Sequence, residues 1–118
     1  MPAARDRSPM NVRLYILQRA TAAIMAPLVL GHLAVIYYAT SRGLSAAEIL
    51  GRTRGSLGWG AFYALFVLAA ATHGAIGVRV VAGEWGGLRG RQLDILMWGF
   101  GALLAVLGLR AVAAVVLS

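Results

Sequence analysis

Three long apolar stretches, at about residues 14–40, 57–81 and 94–117, dominate this chain and leave little else to fold. Each exceeds the roughly 20 residues that a helix needs to cross the ~30 Å hydrocarbon core of a bilayer. In that solvent every backbone N–H and C=O must find a partner inside the protein, so such a stretch is helical. The expected fold is all-α: one integral membrane domain, residues 1–118, built from three transmembrane helices. Composition agrees, with 60% hydrophobic and only 13% charged residues, where soluble domains carry roughly a quarter charged.

The polar punctuation refines this outline. Met1 to Asn11 is polar and holds Pro2 and Pro9. The first apolar block is longer than a signal-peptide core and lacks a small-residue cleavage site, so a retained helix is expected. Pro27 lies inside it and is expected to kink it, which membrane helices tolerate when neighbours satisfy the freed carbonyl. Tyr37 and Tyr38 mark its far interface, while Trp59, Phe62 and Tyr63 anchor the second helix and Trp98 the third. Between the first two spans, Ser45-Ala-Ala-Glu48 has the form of a capping box and predicts a short interfacial helix. Gly83 to Gln92 reads as a glycine-rich turn.

All eleven basic residues are arginine, and the formal net charge is +7. They flank the apolar blocks instead of forming a patch with interleaved aromatics, so they read as topology signals and not as a nucleic-acid surface. With the N-terminus inside, Arg5, Arg7, Arg13, Arg19, Arg79, Arg89 and Arg91 are cytoplasmic, and Arg42, Arg52 and Arg54 are outside. That asymmetry predicts a cytoplasmic N-terminus. Arg110 falls inside the third span, toward its outer end, and has to snorkel or pair. Cysteine is absent, which excludes disulfides, thiolate metal sites and thiol catalysis by this chain.

Helices in lipid associate through small residues. The second span carries Gly58, Gly60, Ala61, Ala64, Ala69, Ala70, Ala71, Gly74 and Gly77, which predicts close approach by another helix or by a flat cofactor. A partner membrane subunit is expected. Two histidines sit in apolar surroundings, and ionisable residues within spans are functional candidates by default. Neutral imidazole is a common haem-iron ligand. Gly77 falls within about 40° of His73 on the helical wheel, leaving room for a porphyrin edge, and Arg79 lies about 9 Å nearer the inner surface, where it can pair a propionate. His32 follows Gly31 in the first span, nearer the outer face and roughly 10 Å from His73 in depth. The alternative for each histidine is a hydrogen-bonded core residue. Tyr15, Gln18 and Arg19, at the inner end of the first span, can hydrogen-bond a quinone carbonyl or form a plain snorkelling cluster.

In sum these motifs resemble the membrane anchor subunits of succinate dehydrogenase and fumarate reductase. The resemblance rests on His73-x-x-x-Gly77-x-Arg79 followed by Glu84-Trp85, on Leu17-Gln18-Arg19-Ala20-Thr21-Ala22, and on Leu30-Gly31-His32. It covers nearly the whole chain. Glu84 and Trp85 replace the family's usual Asp-Tyr, and no Ser-His precedes Arg19. The His73 motif suits the larger kind of anchor and the Gln18–Thr21 start the smaller. The resemblance implies haem b, one or two, shared with a second membrane anchor subunit. His73 would ligate the haem nearer the cytoplasm and His32 a second one. Arg19, with Tyr15, Gln18 and Trp85, would line a site for ubiquinone or menaquinone. Iron–sulfur and flavoprotein subunits would dock on the cytoplasmic face of a bacterial inner membrane. Two rivals stand beside this reading: a haem-free structural anchor and a small multi-pass transport subunit.

Overall fold

The computed structural model describes residues 11–117, and among them the chain is entirely helical apart from short connections. Arg5 and Arg7, counted toward the topology, and the polar stretch with Pro2 and Pro9 lie outside the described residues. Four helices follow in order: α1 (Val12–Ser41), α2 (Ala46–Thr53), α3 (Leu57–Glu84) and α4 (Arg91–Val116). α1, α3 and α4 are each long and apolar enough to cross a membrane. Their ends differ from the expected spans by at most three residues.

Local chemistry explains the boundaries. The Asn11 side chain accepts the Leu14 N–H at 2.9 Å and starts α1 ahead of the apolar run. Pro27 is accommodated within a continuous α1. At its other end, Leu44 N–H reaches Ala39 O at 2.9 Å around Gly43, whose φ of +62° suits glycine; this closure satisfies carbonyls the helix cannot satisfy itself. The capping box of α2 is present, with Ser45 Oγ accepting from Glu48 N at 3.2 Å and Glu48 Oε1 accepting from Ser45 N at 3.3 Å. α2 is then stapled to the end of α4. Thr53 Oγ1 donates to Val115 O at 2.6 Å and Gly55 N to Val116 O at 2.7 Å, filling carbonyls that a helix C-terminus leaves open.

α3 is the central element and packs on both α4 and α1, most extensively on α4. The α3–α4 approach is close because glycines meet side chains across it. A Cβ built at Gly101 would lie 3.0 Å from Ala75 Cβ, and one at Gly108 would lie 2.5 Å from Val67 Cγ1. On the other side, α1 turns a seam toward α3 along Leu14, Gln18, Thr21, Met25, Leu28, His32, Val35 and Ala39, with Val29 and Gly31 half-covered beside it. The 4-3-4-3 spacing is the repeat of helices packed in a left-handed supercoil. The core is thin. Its buried apolar members are Ala69, Ala71, Ala75, Ile76 and Leu93, while Leu30, Tyr37, Trp98 and many other large apolar side chains face outward. That distribution fits a protein whose outer solvent is lipid.

Candidate functional site

The polar side chains inside the bundle gather on the α1–α3 seam at two levels. At the inner level, Thr21 is buried, and its Oγ1 lies 2.8 Å from Leu17 O, 3.0 Å from Gln18 O and 3.2 Å from His73 Nδ1. The hydroxyl has one proton and two backbone carbonyls of its own helix to receive it, an arrangement common for threonine in helices. The same oxygen faces the imidazole of α3. One turn below, the Gln18 amide lies against Gly77. A Cβ on Gly77 would sit 3.6 Å from Gln18 Nε2, an ordinary contact, so packing inside the chain does not demand glycine there. Gln18 Oε1 is buried without a hydrogen-bond partner.

His32 occupies the outer level. It stands eleven residues beyond Thr21 on α1, on the same face and about 16 Å further along the axis. Tyr63 and Phe66 of α3 hold its ring edge-on, with centroids at 5.7 and 5.4 Å and interplanar angles of 90° and 85°. Its Nδ1 is buried and makes no hydrogen bond. The ring borders two apolar spaces: a groove of about 460 Å³ running under α2 and a smaller one of about 280 Å³ toward Leu104 and Gly108 of α4. At the mouth of the larger groove, Arg52 donates to the Tyr38 hydroxyl at 3.3 Å. That bond raises the Arg52 pKa and keeps the group cationic.

The remaining candidates divide. Arg19 lies over the Tyr15 ring at 5.3 Å, so these two act together at the inner end of α1, while neighbouring Gln18 turns toward α3. Arg79 forms an ion pair with Asp94 of α4 at 2.5 Å. Trp85 ends α3 as its C-cap and is 86% exposed. His73 and His32 stand at different depths. Among the described residues no group of three or more His, Cys, Asp or Glu is arranged to hold a metal ion. Thr21 entered only as part of the Leu17–Ala22 motif, and neither its pairing with His73 nor that of Asp94 with Arg79 was legible in the sequence. Thr21 was visible as a polar residue on the same helical face as His32, and Asp94 as the lone acid of the third span's first turn.

The donor set can be tested against a haem b from these contacts alone. A ligating imidazole presents one nitrogen to iron and almost always donates the other N–H to an acceptor. His73 fits, because Thr21 oxygen stands at Nδ1 and no hydrogen bond among the described residues engages Nε2. Among the described residues His32 has no such acceptor, and its buried Nδ1 calls for a partner, since a buried polar atom left unpaired costs about 1–3 kcal/mol.

These features define a class: a small multi-pass membrane subunit with half-buried imidazoles between its helices. A family model described as the succinate dehydrogenase/fumarate reductase transmembrane subunit matches residues 4–117, and the chain belongs to that family. It is thus a membrane component of a complex with other subunits. No curated protein and no solved structure matches the chain.

Proposed function

We propose that this chain is the haem b-ligating anchor of a succinate:quinone oxidoreductase, with His73 as an axial ligand and the inner end of α1 as part of the quinone site. The observation that carries the reading is the His73–Thr21 contact, which engages Nδ1 and leaves Nε2 to a ligand. A Cβ at Gly77, one turn from His73, would meet the Gln18 amide at an ordinary 3.6 Å, so internal packing does not require glycine there.

Haem b, when bound, supplies a one-electron redox centre beside the quinone. The chain's own residues hold and orient. Arg19, steadied on Tyr15, stabilises negative charge developing on a quinone oxygen during reduction. The Gln18 amide, next to Arg19 in sequence, donates an N–H to a quinone carbonyl. Trp85, exposed at the end of α3, offers one indole N–H at the same end of the bundle. A second haem nearer the outer face would be held by His32, whose buried Nδ1 would then take its acceptor from a neighbouring subunit. A second anchor subunit shares the haem, the iron–sulfur and flavoprotein subunits dock on the cytoplasmic side, and the assembly sits in a bacterial inner membrane and uses ubiquinone or menaquinone.

One observation favours the rival, a haem-free anchor. Arg79, the propionate partner in the haem reading, already has an acidic partner in Asp94. A reduced-minus-oxidised optical spectrum of the purified complex decides between them. The haem reading predicts b-type absorption that His73→Ala diminishes, and absence of such absorption in the wild type leaves the haem-free anchor.

A further inference from the structure

We infer that Thr21 is the positioning residue of His73: its hydroxyl fixes the imidazole as the Nδ1–H tautomer and so turns the Nε2 lone pair outward. This rests on the haem reading for its purpose but not for its geometry. The proton count carries it. Thr21 Oγ1 has one hydrogen and lies 2.8 and 3.0 Å from two carbonyl oxygens of its own helix, Leu17 and Gln18. Those carbonyls only accept and both lie nearer than Nδ1, so the hydroxyl proton goes to them. Oγ1 then meets Nδ1 of His73 at 3.2 Å with lone pairs alone, and the contact is a hydrogen bond only if Nδ1 carries the ring proton. A neutral imidazole has one such proton, which leaves Nε2 unprotonated.

The site is sheltered, with Thr21 only 6% exposed, so water competes little for the bond. Thr21 sits on the α1 seam and His73 on α3, so the bond also sets how the ring is aimed as the two helices pack. The opposite tautomer would place the proton on Nε2 and block it as a ligand. Thr21 touches neither quinone nor iron in this account; it acts through the ring.

Two measurements test this. The first needs no haem. The chain has only two histidines, so the full chain, reconstituted without haem in lipid bilayers and labelled with nitrogen-15 at histidine, shows two resolvable rings. His73, assigned by its absence in His73→Ala, is expected with a protonated Nδ1 and an unprotonated Nε2. A wild-type His73 protonated on Nε2 overturns the inference whatever the haem content.

The second uses the complex. Thr21→Val keeps the volume and removes the oxygen. It is expected to weaken haem retention by about 10–100-fold, the usual cost of losing a partner that orients a ligating histidine, and to shift the haem midpoint potential upward as the ring becomes a poorer donor. Thr21→Ser restores both. Unchanged retention and potential in Thr21→Val, or Thr21→Ser behaving like Thr21→Val, overturns the positioning role. A wild-type complex without haem, or full haem retention in His73→Ala, sinks the ligand assignment instead, and the nitrogen spectrum then decides the tautomer alone.

Discussion

Gln18 Oε1 and His32 Nδ1 are the two buried side-chain atoms left without hydrogen bonds among the described residues, and both lie on the face of α1 that meets α3. Each costs about 1–3 kcal/mol in an apolar interior, so a role outside this chain's own stability is the physical reason to keep them. Gln18→Leu separates the two contributions. It removes an unsatisfied amide, so the complex is expected to stay as stable or gain slightly, while the KM for quinone rises. Arg19→Leu should slow quinone reduction by one to two orders of magnitude, about 1.4–2.7 kcal/mol of transition-state stabilisation, and spare succinate oxidation with an artificial dye acceptor. Equal loss of both activities would place Arg19 in assembly. At this scale the sequence exposed the individual side chains but not their pairings. His73, Gly77, Arg79, Tyr15, Gln18 and Arg19 stand out as polar or small residues in apolar runs. That His73 meets Thr21, that Arg79 meets Asp94 and that Gln18 covers Gly77 depends on the relative register of separate helices, which no single helix encodes.

Among the elements, the three spans were legible because bilayer length and backbone satisfaction leave an apolar run of that size one conformation. The α2 capping box was legible for a similar reason, since both of its hydrogen bonds are local. The staple from Thr53 and Gly55 to the last carbonyls of α4 was not, because it joins residues more than sixty positions apart. Small residues on the second span predicted close packing, and the structure shows Ala71, Gly74 and Ala75 facing α4. The answering glycines on α4, Gly101 and Gly108, become meaningful only once α3 is laid beside them. Gly108 offers the sharpest test. A methyl there would lie 2.5 Å from Val67 Cγ1 and 3.2 Å from its Cβ, and a β-branched side chain in a helix has little freedom to move aside. Gly108→Ala is expected to force α3 and α4 apart and destabilise the subunit by about 1–3 kcal/mol, the usual cost of overpacking, seen as a lower thermal transition of the purified complex. An unchanged transition would mean the two helices are not in contact there.

As a whole the molecule is a rod of 62 × 24 × 23 Å with a thin core and an apolar exterior. Three helices with so little buried between them leave most of their apolar surface to lipid and to neighbouring subunits, in keeping with a subunit of a larger complex. Orientation follows from charge. Arg13 and Arg19 at the start of α1, Arg89 just before α4 and Arg91 as its first residue lie at one end of the bundle, and Arg42, Arg52 and Arg54 at the other. The positive-inside bias predicts a cytoplasmic N-terminus and an external C-terminus. A reporter active only outside the cytoplasm, fused after Ser118, should be active, and one fused in the Gly86–Gly90 turn should be silent; the reverse pattern would invert the whole placement of the quinone and haem sites.

The proposed haem ligation rests on the imidazole of His73 on α3, whose Nε2 is left open by the Thr21 contact at Nδ1. Redox titration of haem b in the purified complex, wild type beside His73→Ala and His32→Ala, tests it most directly. Two b-type centres of distinct potential are expected in the wild type, with His73→Ala removing one and His32→Ala the other. A wild-type complex with no b-type absorption, or a His73→Ala complex that titrates like the wild type, would contradict it.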